Sequence, residues 1–132
     1  MYQYQAEIVK VVDGDTYEID IDLGLSVWVR GERIRLYGVN TPEVYGVKHD
    51  SEEYLAGKAA SDFVKSIMKK GTLAIVETLK DSKGKYGRYL AVMYVQIAPE
   101  VLDGYSNIRS IGDYYCINDL LIAKELAEPY FL

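Results

Sequence analysis

The chain has 132 residues, 49% of them hydrophobic, which is enough to bury one core, and 20 Asp plus Glu outweigh 15 Lys plus Arg for a formal net charge of -5. That balance argues against a surface basic all over, the usual footprint of a polyanion binder, but the sign is uneven: residues 48–95 hold 9 basic and 6 acidic side chains, and both flanking segments are acidic. With 1 Cys and 1 His, an internal disulfide is excluded, and a Cys/His zinc site or a Ser-His-Asp triad finds little to build on.

Residues 4–12 alternate loosely, run through Ile8, Val9, Val11 and Val12, and reach Asp13-Gly14-Asp15, a strand ending in a turn. Tyr17, Ile19, Ile21 and Leu23 then alternate with Glu18, Asp20 and Asp22, the period of a half-buried strand. Ser26 to Val29 reads as a short strand. Arg33 to Val39 reads as another, with Ile34, Leu36 and Gly38 on one face and Arg33, Arg35, Tyr37 and Val39 on the other. Pro42 cannot donate to a ladder, so the chain leaves the sheet there and enters a polar loop over 44–50.

A helix is predicted from Asp50, which has capping-box spacing to Glu53, through Leu55, Ala59, Phe63 and Ile67 to Lys69-Lys70-Gly71. Strands Leu73 to Leu79 and Tyr89 to Val95 follow, joined by a basic, glycine-containing hairpin from Lys80 to Arg88. Residues 96–115 read as an irregular, exposed insertion, and Asn118 to Ala127 as a last helix that stops before Pro129. The order predicts an α+β fold, mainly β: a five-stranded barrel of oligonucleotide-binding (OB) size with two to three helices, forming a single domain over 1–132. The start lacks a basic n-region followed by an apolar run, and no window holds 18 uninterrupted apolar residues, so a soluble, cytoplasmic chain is expected.

Three clusters carry chemistry. Asp13-Gly14-Asp15-Thr16 is either an ordinary Asp-Gly turn or a ligand for a hard cation, which prefers carboxylate and carbonyl oxygens. Arg35 shortly precedes Asn40, Thr41 and Glu43, where a guanidinium could grip a phosphate and a carboxylate could take a proton from water. Lys83 to Arg88 combines cations with Tyr86, as surfaces that hold nucleic acid do, although most charge runs are only solvated faces.

In this order and spacing, Val12 to Thr16, Arg35 to Glu43, Lys85 to Arg88 and Ile117 to Ala127 resemble the staphylococcal nuclease (thermonuclease) family. The resemblance implies an OB-fold barrel and a Ca²⁺-dependent nuclease that hydrolyses phosphodiester bonds of DNA and RNA with little sequence preference. It implies Asp15, Asn40 and the carbonyl of Thr41 as metal ligands, Glu43 as general base, Arg35 and Arg88 on the scissile phosphate, and Lys85 and Tyr86 as nucleotide contacts. The family carries aspartate where Asn40 stands, which removes one negative charge and opens the metal preference to other divalent cations. The family's late tyrosine falls near Phe131, or near Tyr130. The alternative is a catalytically weak barrel that binds nucleic acid or protein; the presence of Arg35, Glu43 and Arg88 together favours the enzyme, expected as a monomer with no membrane role.

Overall fold

The computed structural model describes residues 2–83 and 89–130. β1 (Tyr2–Asp13), β2 (Thr16–Asp22) and β3 (Trp28–Leu36) form an antiparallel meander, and a short β4 (Val39–Asn40) follows at its end. After helix α1 (Glu52–Ile67), β5 (Leu73–Lys83) pairs with the free edge of β1 and with β6 (Tyr89–Gln96). β6 then closes onto β3 in parallel, Ile34, Arg35 and Leu36 lying opposite Tyr89, Leu90 and Ala91. The result is the predicted five-stranded closed barrel of OB-fold type, which leaves no free edge along the closed part of the ring.

Strict alternation decides which face goes inside. Tyr17, Ile19 and Ile21 of β2 point into the core, joined by Ala6 and Ile8, Ile34 and Leu36, Val76, Ala91, Met93 and Val95. Ala60 and Val64 of α1 are fully buried, as are Leu120 and Leu121 near the C-terminus. Among the described residues no helix is long and apolar enough to cross a membrane.

Among the boundaries that differ from expectation, three in the first half of the chain have a local reason. Ser26 to Val29 and Arg33 to Val39 are not two strands: they contribute to one, β3, which passes through Gly31 at φ 65°. Asp20 fastens this irregularity, accepting the Gly31 N–H and an Arg30 N–H, both at 2.9 Å. β3 also stops at Leu36. Gly38, at φ 78°, turns the chain and reverses the faces, so Val39 is buried where the period predicted it beside Arg35. The helix cap sits one residue later than Asp50: Ser51 Oγ accepts the Tyr54 N–H at 3.1 Å.

Gly57, midway along α1, lets a loop lie flat on the helix. A Cβ there would stand 2.5 Å from the Pro42 carbonyl oxygen and 3.0 Å from that of Glu43. Backbone atoms cannot swing away as a side-chain tip would. Gly57→Ala, worth about 1 kcal/mol in helix propensity elsewhere, is therefore expected to destabilise by about 1–3 kcal/mol, read as a lower urea midpoint, and to displace the loop that carries Glu43.

Residues 96–115 are more ordered than an irregular excursion. They form a single-turn helix α2 (Pro99–Leu102) and the hairpin β7 (Ser110–Ile111) to β8 (Tyr114–Cys116), and β8 extends the sheet by pairing with β6. The reason lies in β6, an almost uninterrupted apolar run from Tyr89 to Val95, which must be covered on both faces. Ile108, Ile111 and Tyr114 pack over its outward residues Val92 and Tyr94, and over Cys116. Burial pushes the Cys116 thiol up to about 11, consistent with a core residue rather than a nucleophile.

The last helix, α3 (Ile117–Ala123), is shorter than Asn118 to Ala127, because Glu125 takes φ 59° and breaks the helical path. That turn sends β9 (Glu128–Pro129) back to pair with β4.

Candidate active site

The Asp13-Gly14-Asp15 turn lies beneath the exit of β3. Thr16 is the register partner of Arg35, and the Leu36 N–H donates to the Asp15 carbonyl at 2.9 Å. A Cβ on Gly14 would meet Thr41 Cγ2 at 2.9 Å and Ala60 Cβ at 3.1 Å, so glycine allows the turn to nest between the β4 exit and α1. Beneath it the Tyr17 hydroxyl donates to the Gly14 carbonyl at 2.5 Å. Burial, then the charges of Asp15 and Asp13, hold the Tyr17 phenol well above its usual range, which keeps it a neutral donor.

These placements bring Asp15, Arg35, Asn40 and Thr41 together. Asp15 is 6% exposed. Its Oδ1 accepts the Thr16 hydroxyl at 3.1 Å, while Oδ2 accepts the Thr41 N–H at 3.2 Å and faces Arg35 Nη2 at 3.5 Å. The same Nη2 donates to Asn40 Oδ1 at 2.9 Å. Thr41 is also buried, and its Oγ1 has no hydrogen-bond partner among the described residues. The Asp15 carboxylate and the Asn40 amide carbonyl, both facing Arg35 Nη2, make an oxygen corner, the donor chemistry that suits Ca²⁺ or Mg²⁺. No cluster of three or more His, Cys, Asp or Glu that could hold a metal occurs among the described residues. Asp15 is thus the one charged member of this donor set.

Arg35 is held from its other side by Tyr130, whose ring centroid lies 5.3 Å from the guanidinium carbon. The Tyr130 N–H donates to the Gly38 carbonyl at 2.9 Å, and Asn40 pairs with Glu128 across the β4–β9 ladder. Further in, Asn118 fixes the same turn: its amide nitrogen donates to the Tyr37 and Ala91 carbonyls at 2.9 and 3.2 Å, and its oxygen accepts the Met93 N–H at 3.0 Å. The neighbouring Asp119 grips Arg109 through two side-chain hydrogen bonds of 2.9 Å and also accepts the Arg109 N–H. Burial raises the Asp119 pKa, but those contacts with Arg109 outweigh it and hold the carboxyl below its usual range.

Glu43 stands apart. Its side chain is exposed on the loop that follows Pro42, with no hydrogen bond or ion pair to Asp15, Arg35 or Asn40 among the described residues. Lys85, Tyr86 and Arg88, and Phe131, lie outside the described residues. Sequence reasoning missed Gly57 and Asn118 as residues that shape the site, and offered Tyr130 only as a second position, after Phe131, for the family's late tyrosine. Gly57 interrupts an otherwise well-formed helix, and a polar Asn118 opens the apolar run of α3; both were visible signals of a close approach or a buried polar anchor. The place of Tyr130 depended on the helix ending at Ala123, which periodicity did not show.

A sequence profile described as Staphylococcal nuclease homologue matches residues 33–131. The chain is 38% identical over 96 residues to the thermonuclease of Staphylococcus intermedius, covering 73% of this chain and 51% of that protein. It is 34% identical over 97 residues to the thermonuclease of Staphylococcus hyicus, covering 74% and 51%. A similar match, 35% over 124 residues and covering 83% and 57%, is to an uncharacterised protein of Methanocaldococcus jannaschii. The chain spans about half the length of these relatives. The profile starts at Arg33, so Asp15 lies upstream of the matched stretch, and it is the pairing of β2 with β3 that brings it to Arg35. With the barrel, the Arg35 to Thr41 corner and a profile match over most of the length in agreement, the chain belongs to the staphylococcal nuclease family.

Proposed function

We propose that this chain is a divalent-cation-dependent nuclease, with Ca²⁺ the expected cation, that hydrolyses phosphodiester bonds of DNA and RNA with low sequence preference. The observation that carries the reading is the shared corner of Asp15, Arg35, Asn40 and Thr41 on a nuclease-family barrel, in which one guanidinium nitrogen faces both the Asp15 carboxylate and the Asn40 carbonyl and the Thr41 N–H donates to Asp15.

Asp15 Oδ1 and Oδ2, Asn40 Oδ1 and the Thr41 carbonyl are the oxygens that would hold the cation. When bound, it supplies Lewis acidity at a non-bridging phosphate oxygen. Thr16 and the Thr41 N–H fix the orientation of the Asp15 carboxylate, so no reorganisation is needed as charge develops. Arg35 and Arg88 carry guanidiniums whose fork of N–H groups matches two phosphate oxygens each, and their attraction grows as the phosphorane charge builds. Glu43 is assigned to take the proton of the attacking water, whose oxygen joins phosphorus as the bond to the leaving sugar oxygen breaks. Lys85 and Tyr86 are assigned to a neighbouring phosphate. All these contacts go to the backbone rather than to base edges, hence the loose specificity.

The purified protein is expected to fragment single-stranded DNA and RNA at many positions with Ca²⁺, and to stop when a chelator is added. Cleavage would be followed on denaturing gels across Ca²⁺, Mg²⁺ and Mn²⁺. Intact nucleic acid under all three, with salt-sensitive retention on DNA, would instead identify a binding module built on the same barrel.

A further inference from the structure

Arg35 spends its guanidinium on the two side chains that the proposed function assigns to a cation. Nη2 donates to Asn40 Oδ1 at 2.9 Å and faces Asp15 Oδ2 at 3.5 Å. The Arg35 and Asp15 side chains are 15% and 9% exposed, so water screens their attraction little. Asp15 is the one carboxylate of this corner, and Asn40 adds no charge. A divalent cation and Arg35 therefore draw on the same single negative charge and on overlapping lone pairs. The remaining contact of Arg35 among the described residues is different in kind: the Tyr130 ring centroid lies 5.3 Å from its guanidinium carbon, and an aromatic face attracts a cation without fixing the direction of its N–H groups, which leaves the guanidinium room to turn.

Resting on the nuclease reading, we infer that Arg35 competes with the cation for Asp15 and Asn40, and that an incoming phosphate relieves the competition by turning the guanidinium toward itself. A phosphodiester offers Arg35 a full charge and two oxygens in fork geometry, whereas Asp15 gives it a single contact of 3.5 Å and Asn40 a neutral carbonyl. Arg35 then does more than bind substrate: it keeps cation affinity low until phosphate is present. Linkage makes the effect reciprocal, so the cation raises phosphate affinity by the same factor. Direct attraction between cation and phosphate would also produce synergy. The distinguishing quantity is therefore the affinity for the cation alone.

The test is a calorimetric titration of Ca²⁺, in phosphate-free buffer, into the wild-type chain, Arg35→Met and Arg33→Met. Methionine keeps an unbranched stem and removes the charge. Arg33 lies two positions along β3, exposed, and reports any diffuse charge effect. Arg35→Met is expected to bind Ca²⁺ about 5- to 150-fold more tightly than wild type, the usual span of coupling between sites, and Arg33→Met within about twofold of it. Equal or weaker binding by a folded Arg35→Met, or an equal gain in Arg33→Met, overturns the inference.

A second arm needs no variant. The Arg35 side-chain Nε–H resonance of the wild-type protein is expected to shift on adding Ca²⁺ alone and on adding a deoxynucleoside 5′-monophosphate alone, and a signal unmoved by saturating Ca²⁺ overturns the competition. Cleavage by wild type without tighter Ca²⁺ binding in Arg35→Met sinks the coupling and leaves the nuclease reading intact. Tighter Ca²⁺ binding in Arg35→Met without wild-type cleavage does the reverse.

Discussion

Asp15→Asn is expected to lower the cleavage rate by about 10²–10³ while leaving the fold in place, a loss of the size seen when one preorganised electrostatic stabiliser is removed. The amide keeps the shape of the side chain. Its oxygen can still accept the Thr41 N–H now bound at 3.2 Å, and its NH₂ can donate to the Thr16 hydroxyl. What disappears is the one negative charge of the oxygen corner, leaving Asn40 and Thr41 as neutral donors to a hard cation. The rate should recover in part as Ca²⁺ is raised, since weakened binding is opposed by mass action. A shift in melting temperature below about 5 °C, measured beside the rate, separates this outcome from unfolding. Undiminished cleavage at low Ca²⁺ would show that Asp15 does not hold the cation.

Asn118→Ala carries the largest expected cost in stability. Asn118 is 2% exposed and serves three backbone groups, two on β6 and one in the turn beyond β3. Alanine leaves the Met93 N–H unpaired inside the protein and removes one donor from each of the Tyr37 and Ala91 carbonyls. Ala91 O retains the Tyr37 N–H at 2.8 Å, so the penalty falls mainly on the buried Met93 N–H. Counting about 1–3 kcal/mol for that N–H left without a partner and about 0.5–1 kcal/mol for each of the two carbonyl hydrogen bonds lost gives roughly 2–5 kcal/mol. In a chain of this size that lowers the melting temperature by roughly 10 °C or more. Activity should fall further than the remaining folded fraction explains, because the loosened Tyr37-Gly38 turn leads directly to Asn40. Thermal denaturation and the rate per folded molecule would be measured together. A drop of under 2 °C would mean that water replaces the amide at no cost.

The elements most legible in the sequence were those whose cause is local. The alternation from Tyr17 to Ile21 fixes which face of β2 is buried, and the spacing of apolar residues along α1 needs only its own sequence. Boundaries depended on single residues that act through backbone dihedrals. Gly31 and Gly38 each reach positive φ, one allowing two apparent strands to run on as one and the other ending a strand early, and hydrophobic period is blind to both. Glu125 does the same with no glycine to signal it. In the site, Asp15, Arg35, Asn40 and Thr41 were all identified from their side-chain chemistry and found together. The sequence had no means of showing that Arg35 would rest on the proposed metal ligands, or that Tyr130 would cover it, since both depend on partners set by the closed barrel and by the return of β9.

The parallel contact between β3 and β6 has a kinetic consequence. Asp15, Arg35, Asn40 and Thr41 come from one short stretch of chain, and the hairpin pairing of β2 with β3 can bring them near one another early, because little loop entropy is lost. Ring closure is different: Ile34 must find Tyr89, the residue that follows Arg88, across more than fifty intervening residues. Long-range pairings of this kind slow folding. The two arginines assigned to phosphate thus belong to segments that meet late, and in refolding experiments recovered cleavage should trail hairpin formation and keep time with the final sealing of the ring.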